Sequence, residues 1–255
     1  MVSLGRAVRG VWRIARVAVH VLHGVWIARR EFDGASAAHR CARIQWWSAT
    51  LLARLGMRLR PSGRFHHGAQ LIVANHVSWL DIMAVHAICP QARFVSKADV
   101  KAWPLLGGLI VQAGTLFIER ESRRDALRVV HQSAEALQAG DTVAFFPEGT
   151  TSDGHHLLPF HANLLQAAVT TGVPVQPLAL RFSEPGHAVS PSAAYIGETT
   201  LAQSLWMIAC ADALEVHVDV LAPIASAGLD RRALSEAARE RIATALGLPS
   251  TPDAI

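Results

Sequence analysis

Short apolar runs separated by helix-like segments dominate the chain from residue 70 onward. The first run is "LIVA", and others follow in "ARFVSK", "TLFIER", "TVAFFP", "VQPLALRF" and "LEVHVDVL". Strands with so few polar positions are typical of a sheet that is covered on both faces, and intervening helices are typical of parallel crossover connections. The pattern therefore predicts an α/β fold with a central, mostly parallel sheet flanked by helices.

Helices are predicted between these strands, in "SWLDIMAVHAI", "WPLLGGLIVQA", "HANLLQAAVTT", "LAQSLWMIA" and "DRRALSEAARERIATAL". The helix after "TLFIER" has the clearest end signals. Ser122 is predicted as its N-cap, Asp125 follows three residues later, and Gly140 stands just past its end. A chain of 255 residues with 51% hydrophobic residues is long and apolar enough for one large domain with a substantial core.

The first 60 residues differ in charge from the rest of the chain. They hold eleven arginines against two acidic residues, whereas the remainder holds 13 basic and 18 acidic residues. The polar side chains of the first helical segment recur at steps of three and four, which places them on one stripe: Arg6, Arg9, Arg13, Arg16, His20 and His23. A basic, apolar end on a mildly acidic body predicts contact with a negatively charged surface.

Two amphipathic helices joined by "REFDGASAAHR" are predicted in this region, the second in "CARIQWWSATLLARLGMRLR". The apolar stretch of the first is shorter than the ~20 residues of a spanning helix. We therefore expect residues 1–60 to form a hairpin in the membrane interface, apolar face down and arginines toward phosphates, and residues 61–255 to form the α/β domain. A cleaved signal peptide, a spanning anchor and a basic helix packed on its own domain are the alternatives.

Several common catalytic patterns are missing from the sequence. It has no G-x-S-x-G elbow and no G-x-G-x-x-G after a strand, and the loop "GTTSDGHH" lacks the lysine of a P-loop. The histidines closest together, His155, His156 and His161, have no carboxylate at a ligand spacing, so we predict no metal site. Three cysteines, at no metal-like spacing, indicate small buried side chains in a reducing compartment.

Polar residues follow three of the predicted strands, at the point where each strand ends. These residues are Asn75, His76 and Asp81 after the first strand, Glu119 and Arg120 at the end of the third, and Glu148, Gly149 and Thr150 after the fourth. Loops at the carboxyl ends of strands are the natural place for a site in an open α/β sheet. By itself, the His76–Asp81 pair favours an inert buried hydrogen bond over a catalytic base.

These segments, in this order, resemble the motifs of the glycerolipid acyltransferases, and among them the bacterial 1-acyl-sn-glycerol-3-phosphate (lysophosphatidate) acyltransferases. "NHVSWLD" matches the family's NHxxxxD motif, "GTLFIER" its second motif, "FPEGT" its third and "VPVQPLAL" its fourth. "KADVKAWPLLG" also resembles the family's segment between the first two motifs. The resemblance covers about residues 70–182.

The resemblance implies transfer of a fatty acyl group from a thioester donor, acyl-CoA or acyl-carrier protein, to the free hydroxyl of lysophosphatidate, which makes phosphatidic acid. It implies that His76 is the general base and that Asp81 orients it. Because the donor is already activated, neither an enzyme nucleophile nor a cofactor is needed. It further implies a substrate-binding set: Asn75, Lys97, Gly114, Thr115, Arg120, Glu148, Gly149 and Thr150.

The resemblance also implies a monotopic enzyme on the cytoplasmic face of the inner membrane. Its partners would be membrane lipids, the lysolipid acceptor and, where it rather than acyl-CoA is the donor, acyl-carrier protein, with no nucleic acid. One position departs from the family, because Thr151 stands where the third motif often has arginine. The loss of that cation keeps a second acceptor open, lyso-ornithine lipid. A non-catalytic lipid-binding protein and a lysophospholipase are the alternatives of other classes.

Overall fold

The computed structural model describes residues 3–103, 105–118 and 123–249. Its sheet contains seven strands within these ranges: β1 (Arg58–Gly63), β2 (Gln70–Ala74), β3 (Ala92–Lys97), β4 (Leu116–Ile118), β5 (Thr142–Phe145), β6 (Val175–Ser183) and β7 (Glu215–Val220). The described helices are α1 (Leu4–Glu31), α2 (Ala37–Arg54), α3 (Leu80–Ile88), α4 (Leu106–Gln112), α5 (Arg123–Gln138), α6 (Gln166–Thr171), α7 (Leu201–Cys210) and α8 (Arg231–Leu246). Short 3-10 helices precede α4 and α6.

The strand order is β1-β7-β6-β2-β5-β3-β4, and every neighbouring pair is parallel except β6 with β7. The predicted α/β architecture with a mostly parallel sheet is therefore confirmed. β1 was not predicted from the sequence. It lies at the edge of the sheet, it contains Pro61, and most of its side chains are exposed, so it lacks the apolar run that identifies the inner strands.

Each face of the sheet carries its own hydrophobic core. α1, α2, α3 and α7 cover one face, where their buried side chains pack against residues of β2, β6 and β7. α5, α6 and α8 cover the other face and pack against β2, β5 and β6. β2 is buried along its whole length because helices cover it on both sides.

The N-terminal hairpin forms, but its second helix is shorter than predicted. α2 ends at Arg54 and β1 begins at Arg58, so the predicted continuation of the helix to Arg60 is wrong. Gly56 breaks the helix with a φ of +79°, and a Cβ atom there would lie 2.0 Å from Nη2 of Arg13. The predicted division between residues 60 and 61 falls inside β1, and both helices pack on the α/β body.

The orientation of α1 is opposite to that of an ordinary surface helix, whose apolar stripe faces the core. Its polar stripe packs on the protein: Arg6 and Arg9 form ion pairs with Asp212, Arg13 donates to the carbonyls of Ala209 and Ala211, and His20 is fully buried. Its apolar side chains are exposed instead: Leu4, Val8, Val11, Trp12, Val19, Leu22 and Trp26. The expectation that these arginines reach lipid phosphates is therefore wrong.

The length of α1 also differs from the expectation. The helix has 28 residues and, by length and composition, is long and apolar enough to cross a membrane, with 28% of its apolar window buried in the protein. Small residues let it pack closely on its neighbours. A Cβ at Gly10 would lie 2.6 Å from Sγ of Cys210 on α7, and one at Gly24 would lie 2.3 Å from Nε1 of Trp47 on α2.

The predicted end of α5 is confirmed at Gly140, which has a φ of +94°, two residues past the last helical residue. The amide of Asp141 donates to the carbonyl of Ala136 across this turn, and the amide of Gly140 donates to the carbonyl of Leu137. These bonds satisfy two of the last carbonyls of the helix. Ser122, the predicted N-cap, lies outside the described residues.

Candidate active site

The site is built at the carboxyl ends of β2 and β5, which are adjacent parallel strands. Val73 pairs with Phe145 near the ends of these strands, so the segments that follow them leave the sheet side by side. The first segment carries His76 and leads into α3, and the second carries Glu148. The convergence predicted for these two strand ends is therefore present in the structure.

His76 and Asp81 form a hydrogen-bonded pair. Nδ1 of His76 lies 2.7 Å from Oδ2 of Asp81, and the Asp81 side chain is fully buried. Asp81 lies in the first turn of α3 and also accepts hydrogen bonds from the amides of Val77, at 2.8 Å, and Ser78, at 2.9 Å. Amides at a helix N-terminus favour a negative charge, so the carboxylate is held where the chain stabilises it.

All three of these donors converge on one oxygen of Asp81. The other oxygen, Oδ1, is buried without a hydrogen-bond partner in the described part of the chain. A carboxylate only accepts hydrogen bonds, so Nδ1 of His76 carries the proton and Nε2 is the free acceptor of the neutral ring. Asp81 therefore fixes both the tautomer and the direction of the imidazole.

The imidazole ring is also held on its face. Phe146 stacks on His76 with a centroid distance of 3.9 Å and an interplanar angle of 6°, and Phe94 of β3 packs behind Phe146 at 5.5 Å. The side chain of His76 remains 18% exposed. Its Nε2 makes no hydrogen bond to any described residue, so a reacting hydroxyl could approach it.

Glu148 connects the two segments. Its Oε1 accepts from the amide of His76 at 2.7 Å, and its Oε2 accepts from the amide of Leu158 at 2.9 Å. Burial raises the pKa of Glu148 to about 7 although these two amides lower it, and the charge of Asp81 raises it further while that of Arg239 lowers it. Glu148 therefore positions the backbone of the base and titrates near neutral pH.

The loop after β5 wraps around the same backbone. Gly149 turns the chain with a φ of +70°, and its amide donates to the carbonyl of Phe146 at 3.1 Å. The amide of Ser152 donates to the carbonyl of His76 at 2.8 Å. Thr150 is exposed on this loop, whereas the hydroxyl of Thr151 donates to the carbonyl of Tyr195. The Thr151 side chain is therefore engaged in holding the loop.

Asn75 ties the end of β2 to β6. Its side-chain amide donates to the carbonyl of Leu180 at 2.9 Å, and its side-chain oxygen accepts from the amide of Leu180 at 2.8 Å. The residue is 1% exposed. Asn75 was predicted to bind substrate. In the structure its side chain bonds to the backbone of β6, next to the segment that carries His76.

Three other predicted binding residues lie away from the pair. Gly114 and Thr115 precede β4, at the amino end of that strand, and Gly114 accepts a hydrogen bond from Arg93 near the start of β3. Gly114 and Thr115 therefore lie near the amino ends of the strands, whereas His76 lies at the carboxyl ends. The structure does not bring them close to His76. Lys97 ends β3 and is exposed, with one strand between β3 and β2. Arg120 lies outside the described residues.

Four contributions to the site were missed by the sequence reasoning. They are the aromatic stack of Phe146, the backbone donors of Val77 and Ser78, the Ser152 amide, and Arg239 of α8, which donates to the carbonyl of Leu157 at 3.1 Å. Phe146 was visible as part of "FPEGT", but nothing in the sequence shows that its ring meets the imidazole. In the described ranges, no group of three or more His, Cys, Asp or Glu could hold a metal ion.

Comparisons with known proteins show the family of the chain. A family model described as Acyltransferase matches residues 58–181, which include all the motif residues. A lyso-ornithine lipid O-acyltransferase from Pseudomonas aeruginosa is 38% identical over 248 residues, covering 96% of this chain and 95% of that protein. A 1-acyl-sn-glycerol-3-phosphate acyltransferase from Neisseria meningitidis serogroup B is 39% identical, covering 86% of this chain and 88% of that protein.

The fold has also been seen in a solved structure. The crystal structure of the 1-acyl-sn-glycerophosphate (LPA) acyltransferase PlsC from Thermotoga maritima superposes with a TM-score of 0.64 at 20% identity, covering 92% of this chain and 96% of that one. The family model and the two relatives together place the chain among the acyltransferases. The chain belongs to the glycerolipid acyltransferase family.

Proposed function

We propose that the protein transfers a fatty acyl group from a thioester donor to the free hydroxyl of a lysolipid, with 1-acyl-sn-glycerol-3-phosphate as the first candidate acceptor. The observation that carries the proposal is the His76–Asp81 pair, whose Nε2 is free while Nδ1 is held at 2.7 Å from the carboxylate. An alcohol is a poor nucleophile until a base removes its proton, and a neutral imidazole with an open nitrogen is suited to that task.

In the proposed reaction, Nε2 of His76 takes the proton of the acceptor hydroxyl as its oxygen attacks the thioester carbonyl. Asp81 stabilises the imidazolium that forms. The tetrahedral intermediate then collapses, the carbon–sulfur bond breaks, and the imidazolium returns the proton to the leaving thiolate. The products are the ester and the free thiol of coenzyme A or of the carrier protein. No step requires an enzyme nucleophile, a metal or another cofactor.

A second acceptor, lyso-ornithine lipid, is favoured by one observation. Thr151 stands where the third motif often has arginine, and its hydroxyl is engaged with the carbonyl of Tyr195. The loop therefore offers one cation fewer for a phosphate group, and a phosphate is what arginine binds most specifically. The similarity to the P. aeruginosa protein, along nearly the whole chain, supports the same candidate.

The proposed site of action is the cytoplasmic face of the inner membrane, with α1 lying in the interface. The polar stripe of α1 is fixed to Asp212, just after α7, through Arg6 and Arg9, to Ala209 of α7 through Arg13, and to α2 through His20. A helix held along its length by its own domain cannot cross a bilayer without that domain. This packing supports a monotopic arrangement, with the exposed apolar side of α1 toward the lipid.

An acceptor panel tests the proposal. Purified protein is incubated with one acyl-CoA or acyl-carrier protein and, separately, with lysophosphatidate, lyso-ornithine lipid or a neutral lysolipid, and products are identified by mass. We expect a diacyl product from at least one of the first two acceptors. Release of free fatty acid without an acceptor would indicate a lysophospholipase, and no turnover with any acceptor would indicate a non-catalytic lipid-binding protein.

A further inference from the structure

The segment between β3 and β4 exposes large apolar side chains to solvent. We name residues 101–103 and 105–111 of this segment the α4 tip. Trp103, Leu105 and Val111 are 38%, 53% and 49% exposed. Clustered exposed apolar side chains of this kind mark an interaction surface more often than single ones do.

The backbone of the α4 tip is held in an unfavourable conformation. Leu105 has a φ of +64°, a region that leucine rarely adopts. The turn is closely packed around it. The amide of Gly107 donates to the carbonyl of Trp103 at 2.9 Å, and a Cβ atom at Gly107 would lie 2.1 Å from the carbonyl oxygen of Lys101. The fold therefore maintains a strained turn whose effect is to present Leu105 outward.

Two lysines flank these apolar side chains. Lys97 ends β3 and Lys101 begins the α4 tip, both are exposed, and Nζ of Lys101 lies 4.3 Å from the ring centroid of Phe117. Tryptophan with neighbouring lysines is typical of the membrane interface, where the ring lies at headgroup level and each cation meets anionic lipid. The positive charge and the apolar surface of the α4 tip therefore both suit an anionic lipid surface.

The position of the α4 tip relates it to both α1 and the active site. α4 packs against α1, whose apolar side is exposed, so the two apolar surfaces belong to neighbouring elements. The chain enters the α4 tip from the carboxyl end of β3, and β3 pairs in parallel with β5, whose carboxyl end leads to Glu148. The first residues of the α4 tip, 101–103 and Leu105, thus follow the carboxyl end of β3, at the same end of the strands as the catalytic pair, while α4 leads back to the amino end of β4.

We propose that the α4 tip inserts into the interface of an anionic phospholipid bilayer and seats the active-site edge of the sheet on the lipid surface. It is a second membrane contact, separate from α1. A lysolipid acceptor resides in the bilayer, so contact at this edge shortens its path to His76. The proposal adds to the membrane association proposed for α1 and does not depend on which acceptor is used.

A spin label tests the contact directly. A nitroxide is attached to Leu105→Cys in the full chain carrying Cys41→Ser, and the protein is bound to phosphatidylglycerol–phosphatidylcholine vesicles. Accessibility to oxygen and to a water-soluble nickel chelate is then measured. The matched control is Glu240→Cys, an exposed position on α8, which covers the sheet face opposite α1. We expect the label at 105 to be protected from nickel and open to oxygen, and the label at 240 to be open to nickel.

Two results of this measurement would overturn the proposal. One is a label at 105 that is as accessible to nickel as the label at 240. The other is a label at 105 that is protected only after acyl-carrier protein is added, which would assign the α4 tip to a protein donor. Because the measurement needs no turnover, it is independent of the proposed acyl transfer.

A kinetic comparison tests whether the α4 tip helps the enzyme to use a lysolipid that resides in the bilayer. Leu105→Asp is compared with Leu127→Asp, which changes an exposed leucine on α5, also on the opposite face. We expect Leu105→Asp to lower the rate with lysolipid in vesicles roughly tenfold or more, the equivalent of one apolar side chain lost from the lipid. The rate with a short-chain, water-soluble lysolipid should be unchanged for both variants, and Leu127→Asp should match wild type in vesicles.

A second variant separates membrane contact from folding. Leu105→Gly also removes the apolar side chain, but glycine adopts a positive φ readily, so the turn is retained. We expect it to show the same selective loss with the vesicle-bound acceptor. Equal vesicle rates for Leu105→Gly, Leu105→Asp and wild type would contradict the proposal, as would equal losses with both acceptors in Leu105→Gly.

Discussion

For single residues, the main feature of the site is that a few neighbouring atoms fix the imidazole of His76. Oδ2 of Asp81 accepts from the ring of His76 and from two backbone amides, while Phe146 covers the ring face. Residues 77–79 form the turn into α3, so the five-residue spacing allows the carboxylate of Asp81 to fold back on the ring of His76. An inert buried pair would not require an open Nε2.

Asp81→Asn should lower kcat about 10²–10⁴-fold, because an amide can donate to Nδ1 and so stabilise the wrong tautomer of His76. The measurement is steady-state kinetics with the acceptor identified by the panel. Ser78→Ala is the matched control. It removes a buried hydroxyl that has no partner in the described chain but keeps the amide that donates to Asp81, and it should be close to wild type. An Asp81→Asn enzyme as fast as the control would contradict the assigned role.

Glu148 should make folding stability depend on pH. Its pKa is about 7 in the folded protein against 4.5 in the unfolded chain, so the folded state binds the extra proton and stability falls as pH rises between these values. The full effect is on the order of 3 kcal/mol. Glu148→Gln should remove this pH dependence of stability. Urea unfolding of the wild type and of the variant, at pH 4.5 and at pH 7.5, would measure it. Parallel pH dependences of the two proteins would show that Glu148 does not titrate in this range.

At the scale of elements, the N-terminal helices belong to the fold as well as to the membrane contact. Val17 of α1 and Leu51, Leu52 and Leu55 of the α2 region lie in the same core as α3. Deleting the hairpin would therefore expose this core, and a loss of membrane binding after deletion would not report on lipid contact. Point changes on the exposed side of α1 separate the two effects.

Val11→Glu combined with Val19→Glu should move the protein from the membrane to the soluble fraction. Both side chains are more than 60% exposed, so the folded state loses little, whereas two carboxylates would have to enter the lipid. Vesicle flotation measures the bound fraction, and circular dichroism checks the fold. Flotation equal to that of wild type would contradict the proposed role of α1.

α8 supports the active site from outside the segment that the family model matches. Arg239 donates to the carbonyl of Leu157, next to the amide of Leu158 that holds Glu148, and its charge lowers the pKa of Glu148. Removing this charge raises that pKa further, so Glu148 becomes protonated at a higher pH and one of its oxygens stops accepting. The backbone of His76 then loses its support at a higher pH than in wild type.

Arg239→Met should accordingly shift the acid limb of the pH profile of kcat toward higher pH, while Arg239→Lys, which keeps the charge, should stay near wild type. The comparison of the two variants distinguishes this electrostatic effect from a general loss of packing. Superimposable pH profiles for the Met and Lys variants would show that the charge of Arg239 does not act on the site.

In the molecule as a whole, the elements that could be predicted are those marked by a local sequence pattern. The inner strands were predicted because burial on both faces requires continuous apolar runs, and α5 because Gly140 marks its end. β1 was missed because an exposed edge strand needs no such run. The apolar side of α1 was predicted to face away from the α/β domain, but the packing of its arginines on the protein was not predicted, since periodicity defines a stripe but not what the stripe faces.

In the site, too, only the contacts between residues close together in the sequence could be predicted. The pairing of His76 with Asp81 follows from their spacing along a single segment. The junction with Glu148 follows from β2 and β5 being neighbours, although β3 and β4 lie between them in the chain. Gly114 and Thr115 directly precede β4, so their own motif already places them at the amino end of that strand. Arg239 is 91 residues from Glu148 in sequence and has no local signal.

His76→Ala tests whether His76 is the general base of acyl transfer to a lysolipid. The measurement is the rate of diacyl product formation, followed by mass, from one thioester donor and the preferred lysolipid, with vesicle flotation and circular dichroism as controls. We expect a rate at least about 100-fold below wild type, with membrane binding and fold unchanged. A His76→Ala protein that acylates the lysolipid at the wild-type rate would show that His76 is not the general base.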